Sequence, residues 1–497
     1  MTTTMTTTRA GGRAWLGLSV LALATLLLAV DNTVLVLALP HLAADLNPSA
    51  TELLWITDVY GFMIAGFMIT MGSLGDRIGR RRLLLIGAAA FAAASVVAAY
   101  STTTTMLIAA RVLLGVAGAA MGPSALALVA GLFADARQRA MAIGVFTACF
   151  MGGAAAGPVI GGFLLENFWW GSVFLMGVPV MALVVVGGLA LLPETAAEGA
   201  GRLDPASVAM SMAAILPVVY GLKELADDPR QVAAYAALVV GLAFCVAFVR
   251  RQRRLAEPLV DLRLFANRSF SAALLIMALA MVVQGGVYLF VSQHLQLVEG
   301  LSPLVAGLWM AVPALALVGG SLAAPVIAGA FRPGLVAGVG LIVSAAGFAL
   351  VMAGDGLGML VTGVTIAFLG MAPVGALGLD LIVGSAPPER SGSASALAEC
   401  GGELGVALGI ALLGSVGNAV YGGLVTSPRA GDSLSEALAA AAGLPPGPAA
   451  ALVAEAQAAF GHSLLVVTAV SAVLVLGLAV TSMTLLRHLR PIGQEKR

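Results

Sequence analysis

Six ionisable residues stand inside stretches that are otherwise apolar: Asp31, Asp58, Arg111, Asp380, Glu399 and Glu403. An ionised side chain at the centre of a bilayer costs about 2.5–3.5 kcal/mol on insertion scales, so such groups mark places where charges pair, protons move or charged ligands bind. Asp31, within LLLAVDNTVLVLALP, lies near two-thirds of the depth of its stretch; the plain alternative is a structural polar residue bonded to a neighbouring helix. Asp58, within TELLWITDVYGF, has Trp55 and Tyr60 beside it. A carboxylate among aromatic faces suits a lipophilic cation, although Trp and Tyr also anchor helices at membrane interfaces, and both readings stand. Arg111, within LIAARVLLGVAGAAMGP, sits roughly 9 Å below its helix end by helical rise, too deep for a plain surface arginine. It needs an acidic or carbonyl partner, for which Asp31 is the first candidate. Glu399 and Glu403, within SALAECGGELGVALGI, are four residues apart and share a helix face. Two glutamates on one intramembrane face are expensive as structure and point to the lining of a cavity. Asp380 lies near the end of its stretch, where a helix-terminal role fits as well as a functional one.

The elements that carry these residues follow from composition. The chain has 497 residues, 60% hydrophobic and 10% charged, with mean hydropathy +1.02, far from a soluble domain. Fourteen apolar segments are predicted as spanning helices, at about 15–38, 53–71, 83–99, 106–130, 140–164, 171–192, 205–222, 232–249, 270–292, 304–328, 334–353, 357–382, 394–420 and 463–486. The polar opening MTTTMTTTRAGGR precedes an apolar run longer than a signal-peptide core, which reads as a retained first helix. With a cytoplasmic N-terminus, 21 basic residues fall on the inner side, against Lys223, Arg230 and Arg429 outside, with Arg111 in the membrane. The positive-inside rule then predicts a multi-pass cell-membrane protein with both termini cytoplasmic.

The turn GSLGDRIGRRR, Gly72 to Arg82, packs four arginines, one carboxylate and three glycines between two spanning runs, so it must lie in water. Its pattern of Gly72, Leu74, Gly75, Asp76, Arg77, Gly79 and Arg80 resembles the signature loop of the major facilitator superfamily. Asp31, Asn32 and Thr33 with the closing Ala38, Leu39 and Pro40 resemble the first-helix motif of drug:proton antiporters, including quaternary-ammonium exporters, and WITDVY resembles their second helix. Leu107, Arg111, Gly115 and Gly118 resemble the helix-4 motif associated with proton transfer. FMGGAAAGPVIGGF, with Gly153, Gly157, Pro158 and Gly161, is similar to the antiporter motif of helix 5, which is more typical of exporters than importers. The glycines form a smooth ridge for close helix approach; the resemblance adds a seam that holds two halves together during exchange. Glu399 and Glu403 match acids of quaternary-ammonium exporters, and Gly401, Gly405 and Gly409 form a second ridge. An acid that some of those exporters carry in the tenth helix has no counterpart in AVPALALVGGSLAAP, which argues against strong divalent selectivity. The second-half counterpart of the signature loop, GAFRPG, keeps only Arg332.

The resemblance implies an all-α polytopic fold with two six-helix halves and an inserted two-helix hairpin. Its divisions are a cytoplasmic tail at 1–13, an N-terminal half at 14–192, a linker with the two inserted helices at 193–268, a C-terminal half at 269–487 and a tail at 488–497. The external stretch 421–462, rich in Ala, Gly and Pro, is expected to form short helices or irregular pieces. The implied function is a proton-coupled multidrug efflux antiporter for lipophilic cations and amphipathic antibiotics, working by alternating access. Asp31, Arg111 and Glu403 would couple protons; Trp55, Asp58, Tyr60, Glu399 and Glu403 would bind substrate; the signature loop and the helix-5 glycines would gate. The rivals are a dedicated exporter of one natural product or lipid and a non-transporting receptor or scaffold. Cys149, Cys245 and Cys400 lie in three different segments and the four histidines are scattered, without ligand spacing, so no metal is expected. No phosphate loop or hydrolase motif is present. The expectation is a secondary transporter and not an enzyme, monomeric, in a lipid bilayer, with protons as the coupling ion, no cofactor and no nucleic acid partner.

Overall fold

The computed structural model describes residues 11–133, 135–194, 204–227, 231–255, 258, 260–354, 356–385, 391–427, 429–431 and 433–487. The tails at 1–10 and 488–497, with Arg202, Arg230 and Arg390 of the charge count, lie outside the described residues. The protein is helical throughout its described elements, and each of the fourteen expected segments falls on a helix. These are α1 (Gly12–Leu46), α2 (Ala50–Ile78), α3 (Arg80–Ala99), α4 (Thr104–Leu132), α5 (Ala136–Asn167), the short α6 (Ser172–Leu175) running into α7 (Gly177–Leu191), α8 (Pro205–Asp227) and α9 (Val232–Gln252). There follow α10 (Arg268–Gln293), α11 (Pro303–Ala330), α12 (Pro333–Ala353), α13 (Leu357–Gly384), α14 (Ser391–Leu424), the short α15 (Leu434–Ala442) and α16 (Pro446–Leu485). Among the described residues, twelve helical stretches are long and apolar enough to cross a membrane; the other two expected segments fall on α2 and on α8, whose apolar run is shorter, Pro205–Gly221.

Local chemistry sets the helix ends. Ser49 and Glu52 form a reciprocal cap at the start of α2, and Thr103, Asp135, Asn267 and Ser302 cap α4, α5, α10 and α11 through side-chain oxygens. Gly79 separates α2 from α3 at φ 102°, a left-handed conformation that a side chain would strain. The stretch 421–462 departs from expectation: α14 continues to Leu424, and α16 begins at Pro446 and runs 40 residues into the last spanning segment. LPPGP is thus the start of a long helix, because proline in the first turn loses no intrahelical bond.

Helix packing repeats. The contacts of α1 with α5 and α7, of α3 with α4 and α7, and of α2 with α4 recur as α10 with α14 and α16, α12 with α13 and α16, and α11 with α13. The two bundles meet along two equivalent seams, α2 on α14 and α5 on α11. The inserted hairpin breaks the symmetry: α8 packs on α2 and α14, while α9 packs on α8 and leaves Val232, Val239 and Leu242 exposed.

The face with the Gly79 turn carries the arginines and is called the basic face. There the Arg13 Nη2 donates to Ala190 O (2.8 Å) and the Arg81 Nη2 to Leu189 O (2.6 Å), so both serve carbonyls at the end of α7. Toward the opposite face the bundles touch closely. Ser292 Oγ donates to Val36 O (3.4 Å), and a methyl group added at Gly162 would come within 2.6 Å of Leu304 Cα.

Candidate functional site

The centre of the site is a buried ion pair. Arg111 Nη1 lies 3.2 Å from Asp31 Oδ2, with Arg111 1% and Asp31 5% exposed. Arg111 Nε donates to the Ile56 carbonyl (3.1 Å), and its guanidinium carbon stands 4.3 Å from the centroid of the Tyr60 ring. The arginine therefore meets a carboxylate, a carbonyl and an aromatic face, the three groups that compensate a buried cation. Two glycines of α4 make this possible. A Cβ at Gly115 would sit 2.6 Å from Tyr60 O and Met63 Cβ, and one at Gly118 would touch the Tyr60 hydroxyl at 3.4 Å. Bare backbone at these points lets α2 come close enough to lay Tyr60 over Arg111.

Asp58 is fully buried. Leu54 and Gly61, four and three residues from it, face Gly414 and Ala407 of α14, so helical periodicity sets Asp58 on the stripe of α2 that faces α14. It is also within electrostatic reach of Arg111. On α14 the same seam is lined by Cys400, whose Sγ donates to Ala65 O (3.1 Å), and by Ala407. Glu403 lies between them in helical register, within electrostatic reach of Tyr60 and of Glu399. Asp31, Asp58, Arg111, Tyr60 and Glu403 are thus gathered around the point where α1, α2, α4 and α14 converge. Glu399 stands one turn nearer the basic face and is exposed. Asp380 is also exposed, and no described hydrogen bond or ion pair joins it to the cluster.

Two expectations are corrected. Trp55 and Tyr60 do not flank Asp58 together: Trp55 packs on Val59, Met63 and Met212, and Tyr60 gives a ring face to Arg111. Residues 58 and 60 of a helix are about 200° apart, so their side chains leave on opposite sides. The glycine ridge of α5 does not join the two bundles either. Cβ atoms at Gly153 and Gly161 would meet Leu26 O at 2.5 Å and Val34 Cγ1 at 2.8 Å, and one at Gly157 would meet Thr33 Oγ1. All three belong to α1, so the ridge builds one bundle, and the neighbouring Pro158 carbonyl and Gly162 meet Gly307 and Leu304 of α11 across the seam. The ridge of Gly401, Gly405 and Gly409 does the equivalent work on Leu274, Ala278 and Val282 of α10.

In the turn on the basic face, Gly72 faces Pro123 at 3.9 Å, Gly75 lies under Arg80 and Leu83, Arg77 is exposed and Arg80 opens α3. The Asp76 side chain lies outside the described residues. Sequence reasoning overlooked Gln284 and Tyr288 of α10, whose Oε1 and hydroxyl are buried without a hydrogen-bond partner among the described residues. The signal was present: two hydrogen-bonding side chains four residues apart in the apolar run MVVQGGVYLF. No group of metal-ligating side chains occurs among the described residues.

Comparison with known proteins agrees with this architecture. Residues 21–410 match the family model of the Major Facilitator Superfamily. The multidrug efflux pump LfrA of Mycolicibacterium smegmatis is 42% identical over 488 residues, covering 96% of this chain and 97% of that protein. The methyl viologen resistance protein SmvA of Salmonella typhimurium is 36% identical over 485 residues, covering 93% of this chain and 97% of SmvA. Among solved structures, an inward-facing, unoccupied bacterial homologue of the human lysosomal transporter Spinster superposes with TM-score 0.67 at 17% identity. That match covers 96% of this chain and 99% of the homologue and speaks to the fold alone.

Proposed function

Because this chain belongs to the major facilitator superfamily, a family of transporters and not enzymes, we propose that it is a multidrug exporter that exchanges lipophilic cations and amphipathic antibiotics for protons. The observation that carries the proposal is the buried Arg111–Asp31 pair beside a seam lined by Asp58 and Glu403. The excess of acids over Arg111 gives the interior a negative character that suits cations. Protonation of Asp31 would release Arg111 to the Ile56 carbonyl and the Tyr60 ring alone, so a proton and the packing of α1, α2 and α4 act on each other. Rocking of the bundles about the α2–α14 and α5–α11 seams would then turn the site from one face to the other. The basic face is proposed to be cytoplasmic, with both termini there, and the protein to act as a monomer with protons as the coupling ion. The names of the efflux pump LfrA and the methyl viologen resistance protein SmvA support export and a cationic substrate.

Energetics favour two titrating carboxylates. Exchange of one proton for one monovalent cation moves no net charge, and one pH unit supplies only about 1.4 kcal/mol, a tenfold gradient. A second proton adds another such increment and a net charge worth about 2.3 kcal/mol at 100 mV. The total near 5 kcal/mol sustains a gradient of several thousandfold. Asp31 is the first proton carrier, and Glu399 or Glu403 the second. The test is export of a monovalent fluorescent cation in vesicles clamped with potassium and valinomycin. Transport should respond to potential at fixed pH difference, and Asp31→Asn should lose proton-driven export. Wild-type transport that is indifferent to potential limits exchange to one proton, and proton-driven export that survives Asp31→Asn removes Asp31 from the mechanism.

A further inference from the structure

Gln284 and Tyr288 of α10 take no part in the acidic cluster. The Gln284 Oε1 and the Tyr288 hydroxyl are buried with no hydrogen-bond partner among the described residues, an arrangement that is costly unless something else bonds them. Their placement follows from helical register. Met277, Met281, Gln284 and Tyr288, spaced by four, three and four residues, form one stripe of the helix. Toward the basic face the stripe meets α13: a Cβ at Gly378 would lie 3.5 Å from Met277 Cβ, and one at Gly375 3.7 Å from Met281 Cε. At its other end it continues to Ser292, whose hydroxyl donates to Val36 O of α1 in the opposite bundle. Other faces of α10 serve its own bundle: Gly285 and Gly286 meet Val406 and Leu413 of α14, and Phe290 stacks on Phe460 of α16. Gln284 and Tyr288 are thus turned toward the interior between the bundles.

Their depth matches that of the acids. Helix α14 lies beside both α2 and α10: Gly61 and Leu54 of α2 face Ala407 and Gly414, while Val282 and Leu289 of α10 face Gly409 and Gly414. Residues 284 to 288 of α10 are therefore level with the stretch of α2 that holds Asp58 and Tyr60.

We propose that Gln284 and Tyr288 form a hydrogen-bonding subsite that recognises an N–H or O–H group of an amphiphilic cation, at the depth where the carboxylates attract its charge. The inference rests on the proposed exporter function and narrows its substrate class to lipophilic cations that carry an aryl amine, an amide or a hydroxyl. Gln284 Oε1 only accepts, so the ligand must bring a donor. The Tyr288 hydroxyl donates and accepts, so it serves either end of the same polar group. Met277 and Met281 add an adaptable apolar wall for rings of different shape. A cation without hydrogen-bonding groups leaves both polar atoms unpaired in its complex, so the subsite discriminates by what remains unsatisfied.

Ethidium and 5-ethyl-6-phenylphenanthridinium share one ring system and one charge and differ by two aryl amino groups. Isothermal titration calorimetry of the full-length protein in dodecyl maltoside measures the affinity of each. Wild type should prefer ethidium by about tenfold, as two modest hydrogen bonds supply. Gln284→Leu and the nearly isosteric Tyr288→Phe should each weaken ethidium by about threefold, with the analogue changed less than about twofold, and the double variant should lose the preference. Retained binding of the analogue also shows that the variants are folded. Equal affinity of wild type for the two probes overturns the subsite, because water then serves both polar atoms. Variants that leave ethidium unchanged, or that weaken both probes alike, overturn it as well. Wild-type vesicles in which a proton gradient moves neither probe refute the exporter function, whereas the contrast in binding reports on the subsite independently of transport.

Discussion

Replacement of Asp31 by Asn tests how the buried arginine is held. Unit charges 3.2 Å apart attract by roughly 5 kcal/mol at an effective dielectric of about 20, before the cost of taking both out of water. Removal of one partner of a buried pair typically costs about 3–5 kcal/mol, because the other is left uncompensated. Arg111 would keep the Ile56 carbonyl and the Tyr60 ring, so the lower end applies, about 3 kcal/mol for Asp31→Asn. Arg111→Gln should cost a similar amount by stranding Asp31. The double variant buries two neutral amides that can bond each other, so its loss should be about 2–3 kcal/mol and the coupling about 3–4 kcal/mol. The assay is reversible unfolding of the four proteins in mixed dodecyl maltoside and dodecyl sulfate micelles. Additivity to within about 0.5 kcal/mol would refute the reasoning, since it would mean that the charges do not sense each other.

Three further outcomes are expected. Neutralising Glu399 or Glu403 should weaken export of cations at least several-fold more than export of neutral drugs in vesicle transport assays; equal losses would remove them from the substrate path. Gly153→Ala sets a methyl group 2.5 Å from Leu26 O and should destabilise the protein by about 1–3 kcal/mol through separation of α5 from α1, whereas Gly152→Ala, with open space at its Cβ, should be nearly neutral in the same unfolding assay. At the foot of the inserted hairpin, Arg251 donates to both Asp204 oxygens (3.0 and 2.7 Å) and holds that carboxyl down at about 2. The folded pKa is depressed, so the contribution is complete above the usual carboxylate value near 4 and fades as pH falls toward 2. The melting-temperature difference between wild type and Asp204→Asn should therefore be flat from pH 7 to about 5 and shrink below pH 4.

What the sequence determined by itself is whatever depends on one segment at a time. Insertion in a bilayer is decided over about 20 residues of hydropathy, so the helices long and apolar enough to span were legible, twelve of them among the described residues, as were the expensive charges Asp31, Asp58, Arg111, Glu399 and Glu403. The spacing of Gly153, Gly157 and Gly161 likewise announced a ridge on α5. Its partner was not announced, because a smooth stripe accepts any helix that can approach it, and only the assembled bundle turns it toward α1 rather than across the seam. The same holds for Tyr60, whose ring is occupied by an arginine more than 50 residues away, and for Gln284 and Tyr288, whose missing partners become visible only after burial. The place of α8 is the clearest instance. Its apolar run announces a helix, while its seat on Phe62, Gly66 and Ala407 comes from complementary surfaces on helices far apart in sequence, and van der Waals packing of that kind is set by tertiary geometry alone.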